Sequence, residues 1–243
     1  MHHPPRSLEG FAAPFPFTTA GMAHWVYVSH ASGPPVLLMH ELPGLTPECK
    51  RLADTLAAEG FRVYMPLLFG DPEETAVGWN TVRVCISREF YLFSRQKTSP
   101  VVRWMRALVR AMTDREGVDR VGVIGMCLTG GFALALVAEP AVDAVVSAQP
   151  SLPLLFHGEL GLAAGEQAAV VERVGRMGPC AVLGFRYEKD RLCRQERFDR
   201  LRALLGDGFD GHVIPGAGHA TLTRDLDPQA LENTLAYLKK RLA

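Results

Sequence analysis

From residue 36 to the end of this 243-residue chain, short apolar runs bounded by turn residues alternate with longer helical patterns. That alternation leaves few folds open. A buried run followed by a helix before the next buried run builds parallel strands, because each crossover must return over a face of the sheet. The runs are Val36 to Met39 (entered through Pro34-Pro35), Phe61 to Met65, Val121 to Gly125, and segments near 142–148, 180–185 and 209–214. Helices are expected after Thr46 (N-cap) and Pro47 with a stop at Gly60, after Ser99-Pro100, over Phe132 to Val137, and near 163–174, 194–205 and 228–241. Residues 66–98 read as a loop with a helix somewhere after Thr81. The expected architecture is α/β, a mostly parallel central sheet with helices on both faces. Residues 21–243 form one domain, and residues 1–20 read as an N-terminal extension.

Charge narrows the function. The 26 Lys and Arg are matched by 26 Asp and Glu, which argues against a broad basic surface for nucleic acid and against an acidic tail. No apolar run approaches the ~18 residues that span a bilayer, and the N-terminus has no continuous apolar core of a secretory signal. The five cysteines form no Cys-x-x-Cys pair, so neither a disulfide framework nor a thiolate zinc site is expected. The histidines show no ligand spacing, and no metal or other cofactor is expected. These readings point to a soluble, cytoplasmic protein.

The sharpest local signal is Gly125-Met126-Cys127-Leu128-Thr129-Gly130-Gly131, between an apolar strand and an apolar helix. A strand-to-helix turn of this kind can lift one side chain clear of the sheet, with small neighbours because strand and helix approach closely. The helix N-terminus favours a thiolate at Cys127, and the Leu128 N–H can donate to an oxyanion. The competing reading is a buried structural cysteine. A phosphate-cradling loop is weaker, since neither Gly-x-Gly-x-x-Gly nor Gly-Lys-Ser/Thr occurs.

Two downstream residues strengthen the first reading. Asp190 follows the run Ala181 to Phe185, and His219 lies in the glycine-rich turn Gly216-Ala217-Gly218-His219 after another run. Nucleophile, acid and histidine thus fall in that order, each beyond the end of a successive strand. His219 suits proton transfer near neutrality, with Asp190 fixing its tautomer. Glu188 is the competing acid.

These residues resemble the dienelactone hydrolase family, a cysteine-nucleophile branch of the α/β-hydrolase fold. The family's elbow, Gly-x-Cys-x-Gly-Gly, is similar to Gly125–Gly131 with one residue inserted, so that Thr129 stands where a glycine is expected and adds bulk at the close approach. Further matches are His40-Glu41-Leu42-Pro43-Gly44, Glu188-Lys189-Asp190 and Gly216 to His219, and the likeness runs from about residue 20 to 240. The resemblance implies Cys127 as nucleophile, Asp190 and His219 as its partners, and Glu41 beside the thiol, holding it at rest and accepting its proton. It also implies the Leu42 N–H as second oxyanion donor. His40 has no role in this scheme and reads as packing. The best-known family members hold a substrate carboxylate with two arginines, one of them four residues after the histidine. That position is Thr223 here; Arg224 and Arg83 are the nearest candidates for substrate binding, with Arg88 a further possibility.

The implied activity is hydrolysis of a small ester or lactone through an acyl-cysteine intermediate. A thioesterase would use the same site. A non-catalytic binding module on the same fold is the alternative from another class. Residues 66–98 and 151–178, with aromatics such as Phe69, Trp79, Phe90, Tyr91, Phe93 and Phe156, would shape the pocket.

Overall fold

The computed structural model describes residues 4–19, 21–69, 100–151 and 160–243. In chain order the elements are β1 (Phe15–Thr19), β2 (Met22–Val28), β3 (Pro35–Met39), α1 (Pro47–Ala58), β4 (Arg62–Leu67), α2 (Pro100–Glu116), β5 (Val121–Met126), α3 (Leu128–Leu136), β6 (Val142–Ala148), α4 (Ala164–Met177), β7 (Val182–Tyr187), α5 (Gln195–Leu205), β8 (Phe209–Ile214) and α6 (Pro228–Leu242). The strands form one eight-stranded sheet in the order β1-β2-β4-β3-β5-β6-β7-β8. β1–β2 and β2–β4 are antiparallel, and the remaining pairs are parallel.

The central strands are buried along their whole length, since helices cover both faces. Side chains alternate between two cores, as the strand period of two requires. Val36, Leu38, Ile124, Val146 and Leu183 pack with Leu52 and Leu56 of α1 and Leu238 of α6. Leu37, Met39, Val123, Val145 and Val182 pack with Trp104 and Met105 of α2 and Phe132 of α3. The helix ends follow local chemistry. Thr46 Oγ1 accepts from the Cys49 N–H, and Pro47 fills the first position of α1, where no donor is needed. Asp227 and Pro228 play the same parts for α6.

Two differences from the sequence reading stand out. The segment before residue 21, read as an extension, contributes β1 to the sheet, and Trp104 Nε1 donates to Phe17 O at 3.1 Å to tie β1 to α2. β1 and β2 lie at the sheet's edge, where partly exposed residues interrupt the apolar run that marks a central strand. In addition, α3 begins at Leu128, directly after Cys127, instead of at Phe132.

β3, β5, β6, β7 and β8 run parallel, so the chain leaves all five at the same edge of the sheet. Open α/β sheets carry their ligand sites outside these carboxyl ends. Among the described residues, no helix is long and apolar enough to cross a membrane, and no cluster of three or more His, Cys, Asp or Glu could hold a metal.

Candidate active site

Cys127 occupies the single residue between β5 and α3, with φ 54° and ψ −119°. A non-glycine residue in that region carries strain of about 1–3 kcal/mol and persists only where its surroundings hold it. The Cys127 N–H donates to Ala148 O at 3.0 Å, and its carbonyl accepts from the N–H groups of Gly130 and Ser151 at 3.1 and 2.9 Å. Its backbone is therefore pinned on both sides while the side chain stays partly exposed. A Cβ on Gly125 would lie 2.2 Å from Thr129 O, and one on Gly130 would lie 2.9 Å from Pro150 Cα. Both glycines are required by close approach of backbone.

Thr129 does not crowd this elbow. Its fully buried Oγ1 accepts from the Met126 N–H at 2.8 Å and lies 3.0 Å from Met39 O and 2.9 Å from Met126 O, to which it donates. The hydroxyl clasps the ends of β3 and β5 at the base of the turn. The bulk expected to be costly is absorbed as hydrogen bonding.

Asp190 is buried at the end of β7. One carboxylate oxygen, Oδ2, lies 2.8 Å from His219 Nδ1; the other accepts from the N–H groups of Leu192 and Cys193 at 2.8 and 3.1 Å. Glu188 is exposed, so Asp190 is the acid that meets the histidine. Buried Arg186 holds the Asp190 loop through Cys193 O, Gln195 Oε1 and Glu188 O at 2.9, 2.8 and 2.9 Å.

The loop presenting His219 is shaped from below. Asp225 Oδ2 accepts from the backbone N–H groups of His219 and Ala220 at 2.8 and 3.1 Å, and Tyr187 donates to Asp225 O at 2.6 Å. Burial works against ionisation, but these two backbone bonds, together with the charges of Arg224 and His219, hold the Asp225 carboxyl below its usual range. The Tyr187 ring lies so close to Gly218 that a Cβ there would come within 2.7 Å of it.

With Nδ1 on Asp190, His219 Nε2 is buried and has no hydrogen-bond partner of ordinary geometry. Burial opposes the imidazolium. The Asp190 hydrogen bond and the Cys127 sulfur together overcome it and raise the His219 pKa to about 10. Among these three residues, Asp190 and His219 are in direct hydrogen-bond contact.

The Glu41 carboxylate is buried; Oε1 accepts from Thr223 Oγ1 and Oε2 from Gln149 Nε2 at 3.1 Å. Burial pushes its pKa up, against these two bonds and the attraction of His219. Gln149 is fully buried at the end of β6, in a left-handed conformation (φ 34°). Its Oε1 accepts from the Thr221 N–H and hydroxyl at 3.3 and 2.6 Å. Glu41, Gln149, Thr221 and Thr223 therefore join the loops after β3, β6 and β8. The sequence reading missed Gln149 and Thr221, although a glutamine between a mostly apolar strand and Pro150 was a legible signal.

Leu42 follows Glu41, and the Leu42-Pro43 peptide is cis. Neither the Leu42 nor the Leu128 N–H has a backbone acceptor among the described residues. Arg224 is largely exposed, with Nε 3.7 Å from Asp225 Oδ1. Arg83 and Arg88, and Trp79, Phe90, Tyr91, Phe93 and Phe156, lie outside the described residues, whereas Phe69 is buried against the His40 ring.

The strand order, the strained cysteine between strand and helix, and the Asp190–His219 pair define an α/β-hydrolase. The chain belongs to the dienelactone hydrolase family, whose model matches residues 22–238. No curated protein sequence matches it. Among solved structures, it is similar to a cold-adapted esterase from an Arctic intertidal metagenomic library (TM-score 0.69, 16% identity, covering 98% of this chain and 97% of that one). It is also similar to a dienelactone hydrolase-like promiscuous phosphotriesterase from metagenomic libraries (TM-score 0.68, 17% identity, 95% and 98% covered). An esterase from Pyrococcus furiosus matches with TM-score 0.65 and 14% identity over 96% of this chain and 93% of that one. Family and fold together place the protein among hydrolases.

Proposed function

We propose that the protein hydrolyses a small ester or lactone through Cys127, His219 and Asp190, with an acyl-cysteine intermediate. The observation that carries this reading is the buried Asp190 carboxylate 2.8 Å from His219 Nδ1, which leaves Nε2 for the sulfur and for water. Cys127 gives its proton to His219 Nε2 and its Sγ bonds to the substrate carbonyl carbon, while the carbon–oxygen π pair moves onto the carbonyl oxygen as negative charge. The N–H groups of Leu42 and Leu128, which have no backbone acceptor among the described residues, donate to that oxyanion. As it collapses, the carbon–oxygen ester bond breaks, and the leaving alcohol takes the proton on His219 Nε2. Water then attacks the thioester, giving a proton to Nε2 as its oxygen bonds to the carbonyl carbon. The carbon–sulfur bond breaks, and the acid leaves.

Asp190 holds the proton-bearing Nδ1 and stabilises the imidazolium. Glu41 serves the histidine loop through Thr223 and Gln149. Largely exposed Arg224, on that loop, is a candidate for holding a negatively charged substrate. A reducing compartment such as the cytoplasm suits a free reactive thiol.

The test is a panel of p-nitrophenyl esters, simple lactones and acyl thioesters, with the wild type and Cys127→Ala side by side. Turnover of at least one ester or lactone is expected, falling roughly a thousandfold or more in the variant with far-ultraviolet circular dichroism unchanged. Equal turnover by the folded variant would remove Cys127 from the mechanism.

A further inference from the structure

We infer that His40, which the catalytic scheme leaves unused, is a positioning residue that aims the Leu42 N–H at the developing oxyanion; the inference rests on the hydrolase reading given above. His40 closes β3 and is completely buried. Its Nε2 accepts from the Leu68 N–H at 3.0 Å, so the proton of the neutral ring is on Nδ1, which donates to Glu41 O at 3.1 Å. Burial drives the ring's pKa down to about 4, so this single tautomer persists through the neutral range. Phe69 packs edge-on against the ring with centroids 4.5 Å apart and prevents it from turning.

The carbonyl that His40 holds belongs to the Glu41–Leu42 peptide. That peptide is planar and trans, so its C=O and N–H point in opposite directions. Fixing the carbonyl on the His40 side fixes the Leu42 N–H on the opposite side, where it has no backbone acceptor among the described residues. The Glu41 side chain is tied to Thr223 and Gln149, so the residue is held at both backbone and side chain. A donor to a transient charge contributes only if it is aimed before the charge appears. A histidine read from the sequence as packing supplies that aim, and its link to Leu68 anchors the assembly to the strand next to β3.

Two amide substitutions separate this role from simple anchoring. In His40→Asn the side-chain amide occupies the Nδ1 position and can still donate to Glu41 O. In His40→Gln the amide reaches the Nε2 position and can accept from Leu68 N but not hold the carbonyl. For p-nitrophenyl acetate, kcat of His40→Gln should fall roughly 10- to 100-fold with KM little changed, while His40→Asn stays within about threefold of the wild type. Alkylation of Cys127 by iodoacetamide, which develops no oxyanion, should proceed at the wild-type rate in both. The reverse ranking, equal kcat in both, or a matching fall in alkylation and hydrolysis would overturn the inference. Failure of the underlying reading has a separate signature: Cys127→Ala would hydrolyse the ester as fast as the wild type.

Discussion

His219 Nδ1 lies 2.8 Å from Oδ2 of Asp190, a carboxylate whose other oxygen is held by two backbone N–H groups of its own loop. The acid is thus immobilised before it meets the ring, and orientation of the histidine is set by the loop after β7. Exposed Glu188, two residues earlier, has no part in it.

Asp190→Asn should therefore lower kcat by about 10²- to 10⁴-fold, because an amide can stabilise the wrong tautomer and offers no charge to the imidazolium. Glu188→Gln should stay within about twofold. Steady-state kinetics on the best ester of the panel checks the ranking, and the opposite order would transfer the role to Glu188.

The folded His219 pKa, about 10, lies above the ordinary 6.5. Its protonation consequently stabilises the fold fully below pH ~6.5, and that contribution is lost as pH rises through about 10. Urea unfolding from pH 6 to 10.5 should show wild type losing stability over this window more steeply than His219→Gln. Parallel curves would contradict the coupling.

Thr129→Val keeps the side-chain shape but leaves the buried Met126 N–H without its acceptor at 2.8 Å. A loss of about 1–3 kcal/mol is expected, whereas Thr129→Ser should cost well under half as much. Chemical denaturation distinguishes the two, and a neutral valine variant would show that the clasp between β3 and β5 is dispensable.

Gly125→Ala places a methyl group 2.2 Å from Thr129 O. Neither partner is a flexible side chain, so the elbow must open. Destabilisation of about 1–3 kcal/mol or more is expected, together with a loss of ester turnover. Thermal melting and kinetics measured on the same preparation check both effects.

How much was legible in the sequence follows from the range of the interactions involved. The parallel core, the N-cap at Thr46, the glycines of the elbow and the chain order Cys127, Asp190, His219 are local patterns, and periodicity and turn chemistry record them directly. β1, the edge strand, and β2 beside it were not read because both mix exposed and buried positions. The choice of Asp190 over Glu188 was open in the sequence, since both follow the same strand; burial and the approach of the histidine loop decide it. Tertiary structure alone could show that Glu41 binds Thr223 and Gln149, and that His40 holds a carbonyl as well as packing. Those contacts join residues up to 182 positions apart. Sequence marks which backbone segments become strands and helices, because apolar periodicity and cap or turn residues are written within a few positions of each other, even where the strand partners are distant. The partners of a buried polar side chain are chosen only when distant loops converge at one edge of the sheet, where every donor and acceptor removed from water must be matched.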